Sequence, residues 1–382
     1  MISPFVRSVA LFVCVGASLC WCAPAGALTV QFDYTHDGGF FSNVQVNPQA
    51  DAARAALEHA AKSLEMYLDH LARIEPYGQN TWEAIYTSPD TGEEAIEPNL
   101  VVPADTVIVY AGARPLANGK LGQGGPGGHS VTYVDIEWYD TVQFRGQEGA
   151  AAVEPTDFGP WGGSIAFNST EDWHFGIDDP PPPGSGLNDF LSTATHELCH
   201  LLGFGTAESW HELVLTGSHE FEGAAAVATF GGDVPLDVIH AHWAPGTQST
   251  VAGAVQEAAM DPDLTVEHRK RLTVLDRAGL EDIGWDMPLP GDANHDGDVD
   301  FLDYIQLKSH VGQTGSWMEG DFDFDGDIDA ADFVELRAHF GQSVYEPAGP
   351  TGGVSLAPEP GTWVLLALGF ALAGRRRRRP GR

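Results

Sequence analysis

Cysteine is scarce. The 382 residues contain four, and three of them, Cys14, Cys20 and Cys22, fall within the first 27. Without those 27 residues one thiol, Cys199, is left and no internal disulfide is possible, so stability rests on packing and bound metal. Bases are few beside acids, 19 Lys and Arg against 54 Asp and Glu. Arg7 and six arginines from Arg375 onward lie in the end segments, which leaves 12 bases against 53 acids between residues 28 and 357. Such a surface repels phosphate backbones, which argues against nucleic acid and for divalent cations as companions. Long apolar runs are missing too: residues 362–374 rise only about 20 Å as a helix, short of the roughly 30 Å hydrocarbon core. The glycine-rich stretch 122–128 lacks the Gly-Lys-Ser/Thr ending of a phosphate loop and reads as a flexible surface loop. Wholesale disorder is excluded by a hydrophobic content of 43%, enough for a packed core.

The two ends read as addresses. Residues 1–27 carry one arginine, an apolar run over 9–21 and small residues at Ala25, Gly26 and Ala27, the pattern of a secretory signal cleaved after Ala27. At the other end, after a linker over 346–357, Pro358, Glu359 and Pro360 precede the apolar run and then Arg375 to Arg379. Read bare, residues 358–382 are a marginal anchor with its arginines held in the cytoplasm. Their order resembles the PEP-CTERM sorting signal of bacterial surface proteins. That resemblance implies processing by an exosortase-type enzyme, and a protein exported across the inner membrane to the cell surface or beyond, transiently anchored by its C-terminal helix.

Between the ends, the apolar positions Ala53, Leu57, Ala60, Leu64, Tyr67, Leu71 and Ile74 step by three and four, which predicts one long amphipathic core helix over 47–74. Short β-rich runs follow, among them 106–110 and 164–167. The prolines at 180–183 form a stiff approach to a helix capped by Asn188 or Asp189.

Residues 195–205 read T-H-E-L-C-H-L-L-G-F-G. His196 and His200 stand four apart, so on a helix both imidazoles project from one face and can grip one Zn²⁺. Glu197, about 100° around, sits beside the metal, where a carboxylate can take a proton from water as general base. Gly203 lets the chain leave the helix in a conformation other residues resist. Cys199 turns away from the metal side and reads as a small core residue. A catalytic zinc needs a third protein ligand. Position 206, where the commonest metzincin pattern has histidine, is Thr206, so the ligand comes from His211, His219, His240, His242, Glu220 or Glu222.

The zinc motif resembles that of leishmanolysin-like metzincins, which bring the third histidine from a His-Trp pair after an insertion. Here the pair is His242-Trp243, with Met260 in A-A-M-D-P 18 residues beyond His242. The resemblance implies His242 as third zinc ligand and Met260 as the floor of a Met-turn. It also implies that 271–285 closes the domain as a helix and that 161–168 is the edge strand that pairs an extended peptide. Peptide-bond hydrolysis by metal-activated water is the activity implied.

The remainder is a duplication: residues 291–313 and 320–342 match at 11 of 23 positions. Asp292, Asn294, Asp296, Asp298, Asp300 and Asp303 fill positions 1, 3, 5, 7, 9 and 12 of a calcium loop with Gly297 at 6, and Asp321, Asp323, Asp325, Asp327, Asp329 and Asp332 repeat it with Gly326. Each loop precedes one amphipathic helix, and the two helices are expected to bury their apolar faces against each other alone. The arrangement resembles a dockerin type I module over 288–345. Dockerins imply a cohesin partner, but Phe301-Leu302 and Ala330-Ala331 replace the polar pair expected there, which leaves a cohesin-like partner and a calcium-stapled spacer both open.

The sequence therefore predicts an α+β metzincin-like catalytic domain over 28–287 with a central zinc-binding helix, plus a small all-α calcium-loop, dockerin-like domain. It predicts a surface-sorted zinc endopeptidase acting on a protein or peptide substrate. The rival is a non-catalytic adhesion or matrix protein whose zinc and calcium sites are structural.

Overall fold

The computed structural model describes residues 27–344. The signal segment before Ala27, the linker and the sorting segment lie outside the described residues.

The core is a four-stranded sheet in the order β1-β4-β7-β5, where β1 is Thr29–Asp33, β4 Thr106–Arg114, β5 Gly122–Pro126 and β7 Gly162–Asn168. β1 and β7 pair parallel to β4, and β5 runs antiparallel to β7. β4 is buried on both faces, which explains its unbroken apolar run T-V-I-V-Y-A-G-A. Val107, Val109 and Ala111 join a cluster with Leu57 and Leu198. Ile108 and Tyr110, pointing the other way, join Trp82, Trp138 and Trp161. That second layer is an antiparallel sheet in which β2 (Thr81–Thr87) lies between β3 (Glu94–Pro98) and β6 (Gly128–Thr132), beside helix α2 (Ile136–Phe144). The chain is a mixed α/β protein with a small helical C-terminal unit.

In the domain before the repeat, three sequence expectations change. The helix predicted over 47–74 is α1, Ala50–Lys62, and stops half-way. The side chains Leu64, Tyr67, Leu71 and Ile74 are all buried, but their backbone is taken by distant partners: Tyr67 O accepts from Leu28 N, Leu71 O from Asp105 N, and Ile74 pairs with Val102. The apolar period continues while the hydrogen bonds leave the helix. The stretch 122–128 is no flexible loop, since it forms β5 and leads into β6. And the strand expected at the edge, β7, lies inside between β4 and β5, so that β5 is the edge.

Beyond the sheet come α3 (Phe190–Leu201), α4 (Glu208–Glu212), α5 (Ala224–Phe230) and α6 (Val274–Asp282). Helix α6 falls within the segment predicted to close the domain and starts with a Thr273–Asp276 capping box. The C-terminal repeat adds α7 (Phe301–His310) and α8 (Ala330–His339). These helices face each other through Tyr304 and Phe333, ring centroids 6.1 Å apart. They do not pack on each other alone, because Leu307, Leu336, Trp317 and Phe322 belong to the same apolar cluster as Leu198 and Leu275.

Candidate metal centres

Helix α3 begins at Asp189, whose carboxylate accepts from Ser192 N at 3.1 Å and Ser192 Oγ at 2.6 Å. Arg269 grips the same carboxylate with Nε and Nη2 at 3.0 and 2.9 Å. Of the two caps open in the sequence, the structure uses Asp189. Gly203, at φ +104°, ends the helix where a Cβ would also strike Phe158 at 2.6 Å. Thr206 closes the turn by donating its hydroxyl to His200 O at 2.7 Å.

His196 and His200 stand side by side on α3, and His242 is brought to them from a loop. Their Nε2 atoms converge: His200 lies 3.1 Å from His196 and 3.0 Å from His242. Each Nδ1 is engaged elsewhere, His196 with Ala259 O at 2.8 Å, His200 with Phe204 O at 2.8 Å and His242 with Asp237 Oδ2 at 2.9 Å. All three partners can only accept, so each Nδ1 carries the proton and each Nε2 presents a lone pair. Three lone pairs aimed at one point repel, and a cation relieves them. A tetrahedral zinc with bonds of about 2.1 Å sets its nitrogens about 3.4 Å apart, close to this spacing. Burial and the neighbouring imidazoles hold His196 down to about 3 and His200 well below its ordinary value, which favours the neutral, ligating form. The donor set therefore fits zinc.

Glu197 is 6% exposed and lies under β5. Its carboxyl rises to about 8 because burial disfavours the charge, an effect opposed by the Gly124 backbone N–H. A Cβ at Gly122 would stand 2.5 Å from Glu197 Oε1, and one at Gly124 would stand 2.7 Å from Glu197 O. The glycine run is thus explained by a strand crossing the helix at backbone contact, a role that composition alone did not reveal.

Asp237 and Asp276 also escaped the sequence reading. Asp237 holds its own loop through Ile239 N and Ala241 N as well as His242; the one sequence sign was a carboxylate five residues before a candidate ligand. Asp276, fully buried, accepts from Ala259 N at 2.8 Å, Met260 N at 3.1 Å and Trp243 Nε1 at 3.0 Å. Met260 is buried in the turn formed as Asp261 N bonds to Ala258 O. Through this turn Ala259 reaches His196. The other candidate ligands stay apart: His219 and His240 pair with each other at 2.7 Å, His211 and Glu222 are exposed, and Glu220 belongs to a short strand. Among the described residues the histidine cluster comprises His196, His200 and His242. Cys199 is fully buried in the core.

The two repeat loops have one design. Asp303 accepts from Ala293 N, Asn294 N and Asp300 N, and Asp332 accepts from Phe322 N, Asp323 N and Asp329 N. Asp292 and Asp321 each accept the N–H of the loop glycine, Gly297 or Gly326, through Oδ2. The other oxygen of each, Oδ1, is buried without a partner. Burial raises Asp292 to about 6 and Asp321 to about 8, and Asp321, Asp323 and Asp325 bring carboxylate oxygens together. Orphaned buried oxygens within a ring of acids fit calcium. Asp296 holds the first loop's turn through Asp298 N, while Asp300 and Asp329 cap the following helices.

Comparison with known proteins bears on this end of the chain. Residues 290–341 match the Dockerin type I domain. The repeat is a dockerin domain. Such domains bind calcium and imply a cohesin partner. Phe301 and Leu302 stand 52% and 58% exposed at the start of α7, so the face they offer is apolar. Residues 356–379 match the PEP-CTERM protein-sorting motif, which implies export, sorting to the surface and an exosortase. No described helix is long and apolar enough to cross a membrane. No curated protein and no solved structure matches the chain.

Proposed function

We propose that the domain before the dockerin repeat is a zinc-dependent endopeptidase of the leishmanolysin-like metzincin kind, carried to the cell surface by the sorting motif. The observation that carries this reading is the convergence of three Nε2 lone pairs beside a buried glutamate. Zinc held there supplies a polarised water and a Lewis acid for a carbonyl. Glu197, buried beside the three imidazoles, would be the residue to take a proton from water at its carboxylate. His196, His200 and His242 hold the metal through Nε2, each fixed by its Nδ1 partner.

Edge strand β5 supplies the substrate support. It runs over Glu197, and it pairs on one side with β7. An extended peptide added to its other side would place a backbone carbonyl near the cluster.

Two variants test the reading. Glu197→Ala is expected to keep zinc and lose at least about 100-fold in peptide hydrolysis, the scale of a general base. His242→Ala is expected to lose zinc on dialysis, while His211→Ala and His219→Ala keep it. Hydrolysis undiminished in zinc-loaded Glu197→Ala would overturn the enzyme. It would favour the rival, a non-catalytic surface adhesion or matrix protein whose zinc and calcium sites are structural, which draws support from the dockerin match.

A further inference from the structure

The second calcium loop meets two arginines of the preceding domain. Gly326, at position 6 of that loop, has the Arg271 guanidinium pressed against it, and a Cβ there would stand 1.6 Å from Nη1. Two residues earlier, the ring of Phe324 carries the Arg277 guanidinium, 3.7 Å from its centroid, and also meets Trp317 at 5.2 Å. Arg271 feels the charges of Asp321, Asp325 and Asp327, and Arg277 those of Asp321 and Asp323. The first loop is built otherwise: the position equivalent to Phe324 is His295, and Asp292, raised first by its burial, feels the charges of Asp303 and Asp296 in its own loop and of no arginine. Lys62, Lys270, Arg271 and Arg277, four of the 12 bases between residues 28 and 357, line a cavity of about 70 Å³ between the two domains, along with Trp317 and Asp321. Lys62 to Glu319 at 3.4 Å and Thr314 Oγ1 to Asp178 at 2.7 Å also join the two domains.

We propose that the second calcium loop is the joint that fixes the dockerin domain to the histidine domain, with Arg271 and Arg277 as its clamp, so that calcium in this loop stabilises the segment behind the histidines. Calcium draws Asp321, Asp323 and Asp325 together and thereby holds Phe324 and Gly326, the two seats of the arginines, in place. With six aspartates in the loop, a dication leaves it anionic, so the guanidinium groups stay attracted. Removal of calcium lets the carboxylates repel and the seats spread. Arg277 follows Asp276 in α6, and Asp276 holds Ala259 N, Met260 N and Trp243 Nε1. A loosened clamp therefore loosens the turn that supports His196. The inference requires calcium in the dockerin domain and is independent of any zinc chemistry.

Hydrogen exchange of the full chain, with calcium and with a calcium-selective chelator, tests it. Calcium is expected to slow exchange over 258–260 and α6 about tenfold or more in the unaltered protein and in Asp292→Ala, and to lose this effect in Asp321→Ala. The double variant Arg271→Gln, Phe324→Ala keeps every calcium ligand. It should bind calcium by calorimetry yet show no slowing, which separates a lost joint from a misfolded loop. Slowing in the double variant equal to that of the unaltered protein would overturn the proposal. Equal behaviour of Asp292→Ala and Asp321→Ala would do the same.

Discussion

Asp237 Oδ2 stands 2.9 Å from His242 Nδ1, so a carboxylate backs this imidazole, whereas His196 and His200 are backed by the carbonyls of Ala259 and Phe204. A carboxylate behind an imidazole makes it a stronger donor and fixes its tautomer. Asp237→Asn keeps the shape and removes the charge. Apparent zinc affinity is expected to fall about 10- to 100-fold with the circular dichroism spectrum unchanged. Chelator competition measures this, and an unaltered affinity would show that the pair only shapes the loop.

The crossing of β5 over α3 can be tested position by position. Gly122→Ala would place a methyl group 2.5 Å from Glu197 Oε1, whereas Gly125→Ala and Gly128→Ala meet nothing within 4 Å. The first change is expected to cost about 1–3 kcal/mol by overpacking and, on the proposed function, to reduce peptide hydrolysis. The other two should be close to neutral. Urea unfolding of the three variants checks the pattern.

Arg145 is fully buried, and its guanidinium donates to the carbonyls of Ala72, Pro103, Thr106 and Pro160 without a carboxylate partner. Burial lowers it to about 10, still charged at neutral pH. Arg145→Met would orphan the buried carbonyls of Thr106 and Pro160 and unpair the part-buried ones of Ala72 and Pro103, with an expected loss of about 3 kcal/mol. Arg145→Lys should recover only part of this, since an ammonium cannot fork to all four. Denaturant midpoints decide.

Burial raises Asp321 to about 8 and Asp332 to about 7, from an ordinary 3.8. Folded, calcium-free protein thus holds these protons more tightly than the unfolded chain does. Its stability in chelator is expected to rise as pH falls from about 8 towards 6.5. Below 6.5 His295, which burial pushes down to about 4, acts the other way, because the unfolded chain takes up its proton first. Calcium competes with the carboxyl protons, so the Tm increase it produces should shrink across the same interval. Melts with and without calcium at pH 8.0 and 6.5 measure this, and a pH-independent increase would contradict it.

What the sequence alone determined is local. Four-residue spacing puts His196 and His200 on one face of any helix that forms there, and alternating acids with a glycine at position 6 define each calcium loop, because such geometry is set within a dozen residues. The strands at 106–110 and 164–167 were legible for the same reason, as short apolar runs between turn residues. Only the tertiary structure decided where α1 stops, since the apolar period runs on to Ile74 while the backbone after Lys62 bonds to Leu28, Val102 and Asp105. The tertiary structure likewise brought His242 to α3, and not His219 or His240 two residues before it in the same loop, because Asp237 holds the His242 ring by its Nδ1 while His240 turns to pair with His219. It turned the glycines at 122 and 124 from loop to strand through a contact with Glu197, and it set Arg271 and Arg277 on the second calcium loop. Each of these depends on residues far apart in the chain meeting at van der Waals distance, and a one-dimensional pattern carries no such distance.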